Sequence, residues 1–348
     1  MSTVSRAESQ PGDRRRWWLS PLTPMAAVLV LLAVWSLTVG AYPLRLQEAL
    51  EALLGRLSGK GDAGPVDTVL FGIRIPRMAA AIVVGGCLAA AGACYQAIFR
   101  NPLVSPDILG VSAGAGMGAV VGIFLSLPAA GIQLLGFLGG MGSVGLVVAI
   151  AASMRDRESV LTLILAGVVI GALAGACTSL LKMLADPNDQ LPAITFWLLG
   201  SLAAVNGSDI LAIVPFALLG LVPLVALRWR IGVLSLNDDE AQALGVPVRS
   251  TRLLVIGCAT LITSSVVAIA GVIGWVGLII PHVARMLVGP GFSRLLPASG
   301  LLGAAYLLLV DTAARTLSGN EVPLGLLTAV VGAPFFLWLL ARGRRGWA

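Results

Sequence analysis

The sequence predicts an all-α polytopic membrane protein of about ten transmembrane helices, and three observations carry that prediction. Of its 348 residues, 57% are hydrophobic and 11% charged, whereas a soluble domain carries about 25% charged residues. The mean hydropathy is +0.95, so in water the fold would expose large apolar patches, and a bilayer is the natural solvent. Apolar runs of about 20 residues, enough to cross a core of roughly 30 Å, recur along almost the whole chain. A transmembrane β-barrel would show period-two alternation instead.

The elements follow in order. Residues 1–23 are polar and basic, with no small-x-small cleavage site after the next apolar run, and predict a cytoplasmic tail rather than a cleaved signal. Residues 24–342 form a single transmembrane domain, with spans near 24–41, 76–98, 107–127, 132–153, 160–184, 209–228, 251–270, 275–289, 297–315 and 323–341. Residues 343–348 are a short C-terminal tail. With the N-terminus inside, 16 Lys and Arg residues fall on the cytoplasmic side and 7 outside. The positive-inside rule therefore sets both termini in the cytoplasm, in agreement with an even number of spans. Two outside segments are longer than turns. Arg45–Gly72 contains LQEALEALLGRL, whose Leu46, Leu50, Leu53, Leu54 and Leu57 share one face, as in a helix lying on the membrane surface. Asp186–Ser208 contains LPAITFWLLGSLAAV, too short and glycine-marked for a span of its own, and reads as a re-entrant or surface helix.

Several function classes are excluded or weakened by the residues present. No HExxH, GxSxG or paired-carboxylate cluster lies in any span, so the chain reads as non-catalytic. GRLSGKG at 55–61 misses the spacing of a phosphate loop, and GAGMG follows no strand, so the chain has no ATP site and no dinucleotide fingerprint. The basic residues are spread over loops and mark topology rather than a nucleic-acid face. Cys87, Cys94, Cys177 and Cys258 lie inside apolar runs as small packing residues, and the single His282 cannot make a metal or haem site by itself. Gly110, Gly114, Gly118 and Gly122 are four apart, as are Gly167, Gly171 and Gly175, which predicts faces for close helix packing. Charges within the spans are few. Asp311 either pairs with Arg315 at i,i+4 or serves an ion-coupled secondary carrier.

One stretch does not fit a simple bundle. LSLNDDEAQALGVPV, residues 234–248, interrupts two apolar blocks. Ser235 or Asn237 can cap a helix whose first turn holds Asp238, Asp239 and Glu240, where negative charge suits the helix dipole. Ala241 and Leu244 supply a small apolar face, Gly245 ends the helix, and Pro247 prevents its continuation. Caps, charge order and an apolar face together predict a docking knob for a cytoplasmic protein.

That stretch resembles the coupling helix of the FecCD/BtuC-type permeases, the membrane subunits of ABC importers for iron chelates, haem and vitamin B12. RIPRMAAAIVVGGCLAAAGACYQAIFRNPLVSPDILGVSAGAGMGA from Arg74 is similar to the family's second and third helices, GVIGWVGLIIPHVARMLVGPGFSRLLPASGLLGAAYLLLVDTAAR to its eighth and ninth, and EVPLGLLTAVVGAPFFLWLL to its tenth. The resemblance covers residues 25–342 and implies the type II ABC importer permease fold in a bacterial inner membrane. It further implies a homodimer, two cytoplasmic ATPase subunits that bind ATP and Mg, a periplasmic binding protein, and a pathway lined by the fifth and tenth helices. On the matching positions, Asp238–Gly245 would sit in a cleft of the ATPase, and Arg74, Arg77 and Arg315 would meet carboxylates of the binding protein. The cargo implied is an iron chelate, haem first, with vitamin B12 or a ferric siderophore as alternatives.

Overall fold

The computed structural model describes residues 21–40, 42–59, 64–154, 160–317 and 321–343. The predicted tails lie almost wholly outside the described residues. The chain begins with α1 (Leu22–Thr38) and α2 (Leu46–Leu57). A short α3 (Pro65–Asp67) then runs through a π-helical stretch, Thr68–Arg74, into α4 (Ile75–Ile98). A 3-10 turn at Pro106–Leu109 precedes α5 (Val111–Phe124) and α6 (Ala129–Ser153). Then come α7 (Val160–Leu184), α8 (Gln190–Leu199), α9 (Gly207–Ala226), α10 (Arg228–Val233) and α11 (Asp238–Ala243). The chain closes with α12 (Val248–Ala270), α13 (Val276–Val288), α14 (Phe292–Ala314) and α15 (Leu324–Gly343).

Each of the ten predicted spans contains a helix, but they are unequal. Among the described residues six helical segments are long and apolar enough to cross a membrane; α1, α5, α13 and α15 are shorter apolar helices. The 14 residues of α5 and the 13 of α13 reach only about 20 Å at 1.5 Å per residue. The ten residues of α8 reach less, in keeping with its reading as a re-entrant or surface element. The α14 span begins at Phe292 rather than near 297; Pro297 lies inside the helix as its sixth residue and supplies no N–H to the Ser293 carbonyl four residues before it. α9 starts where it does because Asn206 and Asp209 cap each other: the Asn206 oxygen accepts the Asp209 N–H at 3.1 Å, and the Asp209 carboxylate accepts the Asn206 N–H at 3.0 Å.

The core is built on α4, α12 and α14. Their most apolar stretches are 72%, 72% and 61% buried, against 33%, 22% and 22% for α6, α7 and α9, which form the rim. Buried polar side chains tie the core helices together. The Tyr95 hydroxyl meets the Thr260 hydroxyl at 3.0 Å between α4 and α12. Gln96 Nε2 donates to the Leu278 carbonyl of α13 at 3.0 Å, and Arg285 of α13 donates back to Gln96 Oε1 at 3.1 Å.

Glycine lets the backbones approach. A Cβ on Gly118 would lie 2.0 Å from the Leu135 carbonyl oxygen, and one on Gly114 would lie 2.5 Å from that of Gly139, so α5 lies flat against α6. Gly122 extends the same seam to Ile132. Gly167 of α7 presses on the Ile108 carbonyl, where a Cβ would sit at 2.2 Å. Three predicted members behave differently. Gly110 is not on the α5 face; it sits before the helix at φ +77°, a left-handed conformation that disfavours a side chain. A Cβ on Gly175 would meet no described atom within 4 Å, and one on Gly171 only ordinary contacts. Approaches as tight occur at glycines outside the two predicted series. A Cβ on Gly92 of α4 would lie 1.9 Å from the Gly277 oxygen of α13, and those on Gly85 of α4 and Gly303 of α14 would lie 2.2 and 2.3 Å from each other's carbonyl oxygens.

Gly92→Ala is therefore expected to cost about 1–3 kcal/mol of overpacking strain, while Gly175→Ala should stay within about 0.5 kcal/mol. Thermal melting of the two variants in the same detergent checks this. Equal melting points would mean that the α4–α13 contact is not close.

Candidate docking site

The 234–248 loop is a rigid projection at one end of the bundle. α11 is only six residues long and could not persist alone, since isolated short helices are marginal. Its ends are tied instead. The Glu240 carboxylate accepts the Asn237 N–H at 3.2 Å, so Asn237, not Ser235, is the N-cap, with Asp238, Asp239 and Glu240 in the first turn. At the other end, the Val246 N–H bonds the Ala241 carbonyl at 3.0 Å and the Gly245 N–H bonds that of Gln242 at 2.8 Å, with Gly245 at φ +78°. This is a Schellman close, which requires a residue tolerant of positive φ at that point.

The loop is also pinned from outside. Asp238 accepts Arg252 Nη2 of α12 at 3.0 and 3.1 Å, and it is ion-paired with Arg100, which follows α4. Ala241 is fully buried within the chain's own core, whereas Leu244 is 54% exposed. The expected shared apolar face of Ala241 and Leu244 is thus split. Ala241 anchors the helix, and Leu244, at the C-cap, turns outward with Leu236, which is 42% exposed. Asp239, Glu240 and Gly245 lie on the exposed side.

At the opposite end, the three arginines expected to face outward are turned inward. Arg74 and Arg77 are each 4% exposed. Arg74 donates to the carbonyls of Leu37 and Tyr42. Arg315 Nη2 donates to the Ser36 hydroxyl at 2.8 Å, and its Nη1 reaches the Val39 carbonyl at 3.4 Å. Both guanidiniums therefore serve the end of α1, whose last carbonyls have no partner within the helix and whose dipole favours a cation there. Arg77 donates to Asp311 Oδ1 at 2.8 Å and to Glu321 at 2.7 Å. Arg315 Nε lies 3.3 Å from Asp311 Oδ2, within ion-pair range but not aligned as a hydrogen bond. Asp311 is fully buried between two arginines rather than open to a transported ion. A helix-end requirement of this kind has no signature in a loop-charge count, so the sequence reading assigned these arginines to a surface.

The two helices expected to line a pathway present apolar faces that the chain itself does not cover. On α7 these are Leu165, Val168, Val169 and Leu173, and on α15 Val330, Val331 and Leu337. Against the middle of α15, Trp275, at φ +72°, packs on Gly332, where a Cβ would lie 2.7 Å from the indole, and edge-on to Phe336 at 6.3 Å. The strained backbone of Trp275 is held by this contact, which no motif around residue 275 announces. His282 lies within α13. Among the described residues no group of three His, Cys, Asp or Glu could hold a metal ion.

Comparison with known proteins gives a consistent picture. The molybdate import system permease protein MolB of Haemophilus influenzae is 42% identical over 324 residues, covering 92% of this chain and 95% of its own. The hemin transport system permease protein HmuU of Yersinia pestis is 37% identical over 328 residues, covering 91% and 94%. A solved structure described as an inward-facing metal-chelate type ABC transporter superposes with a TM-score of 0.83 at 40% identity, covering 93% of this chain and 99% of that one. The profile of the FecCD transport family matches residues 28–342, from α1 into the last helix, and the chain belongs to that family.

Proposed function

We propose that the chain is the permease subunit of an ATP-driven importer, working as a homodimer in a bacterial inner membrane with both termini cytoplasmic. In this reading two ATPase subunits bind ATP and Mg on the cytoplasmic side and take Leu244 and the exposed flank of Asp238–Gly245 into a cleft. A periplasmic binding protein delivers the cargo at the other face, and α7 and α15 line the path with apolar side chains. The observation that carries the reading is the doubly capped, doubly ion-paired loop helix. A connector between two spans has no need of such rigidity, whereas a part that transmits force between subunits does.

The cargo proposed is an iron chelate, haem first. An apolar wall suits a bulky ligand that must pass without being held. A second reading, molybdate, is favoured by the 42% identity to a permease named for that anion.

The test is uptake into vesicles holding the permease, its ATPase and its binding protein, with labelled haem, ferric siderophore, cobalamin and molybdate supplied in turn. ATP-dependent accumulation of haem is expected. Accumulation of molybdate alone would replace the haem reading. Accumulation that needs an ion gradient and no ATP would sink the importer assignment.

A further inference from the structure

A groove of 670 Å³ lies beside the docking loop, between the end of α4, the short helix α10, and the α13–α14 junction. Arg100, Arg228 and Arg285 line it, and no Asp or Glu does. Arg100 shares its charge with Asp238, and Arg285 commits one N–H to Gln96, so the groove keeps a net positive field. Gly291 and Phe292, which open the 23-residue helix α14, form part of the wall, and the positive end of that helix adds to the field.

The rim is not simply cationic. Trp229, between Arg228 and Arg230, is 58% exposed, and Leu236, which also lines the groove, is 42% exposed. Trp229 follows directly on the end of the span α9, where an indole flanked by arginines suits the headgroup level of a bilayer. An anion alone would match the arginines and leave the apolar rim in water. An acidic protein segment would do the same. An amphiphile with an anionic head and apolar tails satisfies both.

We propose that this groove binds the phosphate-bearing headgroup of an acidic phospholipid, with the acyl chains lying along Trp229 and Leu236. The proposal rests on the placement of the chain in a bilayer but not on its cargo or on ATP. Lipid occupancy there would brace the wall that adjoins the docking loop.

The experiment uses the purified full chain in a neutral detergent. Dioctanoyl phosphatidylglycerol, dioctanoyl phosphatidylcholine and inorganic phosphate are titrated separately, and binding is read as a rise in melting temperature and by native mass spectrometry. Phosphatidylglycerol is expected to bind in preference to phosphatidylcholine, with an affinity that falls as salt is added. Arg228→Gln should weaken that binding about fivefold while melting without lipid stays close to that of the parent, and adding Arg285→Gln should weaken it about fivefold again but lower the lipid-free melting point, since Arg285 also holds Gln96. Should the double variant fail to fold, Arg228→Gln against Arg228→Lys carries the test, with loss of charge weakening binding and retention of charge preserving it.

Equal affinity for the two lipids, or unchanged phosphatidylglycerol binding in the charge-removing variants, would overturn the proposal. A response to inorganic phosphate as large as that to phosphatidylglycerol would overturn the lipid source. Loss of ATPase association with lipid preference intact would reassign the groove to a protein partner. None of these readouts depends on transport, so a wrong cargo assignment would not disturb them.

Discussion

Asp311→Ala is expected to destabilise the fold by about 3–5 kcal/mol, the cost of leaving buried charge without its partner. Its carboxylate is fully buried and is the common counter-ion of Arg77 and Arg315, whose side chains are 5% and 11% exposed. Removing it leaves two guanidiniums facing each other away from water. The same residues predict a gradient. Glu321 is 39% exposed and, among the described residues, pairs with Arg77, so Glu321→Gln should cost only about 0–1 kcal/mol. Asp311→Asn, which keeps the shape and loses the charge, should fall between. Melting in one detergent, with expression level as a second readout, checks the order. If Asp311→Ala and Glu321→Gln melt alike, Asp311 is not the hub of the network.

The second large effect concerns Leu244. Leu244→Asp should leave folding within about 0.5 kcal/mol, because the side chain is already more than half exposed in the chain alone. Burying that carboxylate unpaired in an ATPase cleft should cost about 3–5 kcal/mol of docking, a loss of about two to four orders of magnitude in affinity. Uptake should stop while membrane insertion and melting stay normal. Ala241→Asp gives the contrast: Ala241 is fully buried inside the chain, so its variant should fail at folding rather than at docking. Normal ATPase pull-down and normal uptake with Leu244→Asp would remove the loop from the coupling path.

Apolar runs made the helices legible, because a segment that must satisfy its own backbone in hydrocarbon has few alternatives. The glycine seams of α5 were partly legible for the same kind of reason, since spacing by four places small residues on one face. Gly85 and Gly92 on α4 were not, since they sit seven apart in a stretch where alanine is nearly as small and partners cannot be read from one helix alone. Ala241 and Leu244 are three apart and looked like one face, but the Schellman turn swings the second away from the first. The arginines were misread for a different cause. Counting charge by loop treats each guanidinium as solvated, and Arg74, Arg77 and Arg315 instead answer needs set by tertiary structure: the end of α1 and a carboxylate on α14. Trp275 is likewise set by its neighbours Gly332 and Phe336, not by its own sequence context.

The Gly92–Gly277 and Gly85–Gly303 contacts have a genetic consequence. A steric defect at one member of a packed pair is ordinarily relieved by shrinking the other. Here both members are already glycine, and the clashing atom is backbone, which no substitution removes. Intragenic suppressors of Gly92→Ala or Gly85→Ala therefore have to map away from the contact, to residues that let α13 or α14 shift as a whole. Residues beside the glycine pair rather than in it, such as Pro106, whose ring would lie 3.1 Å from a Cβ on Gly277, are where such second-site changes should appear.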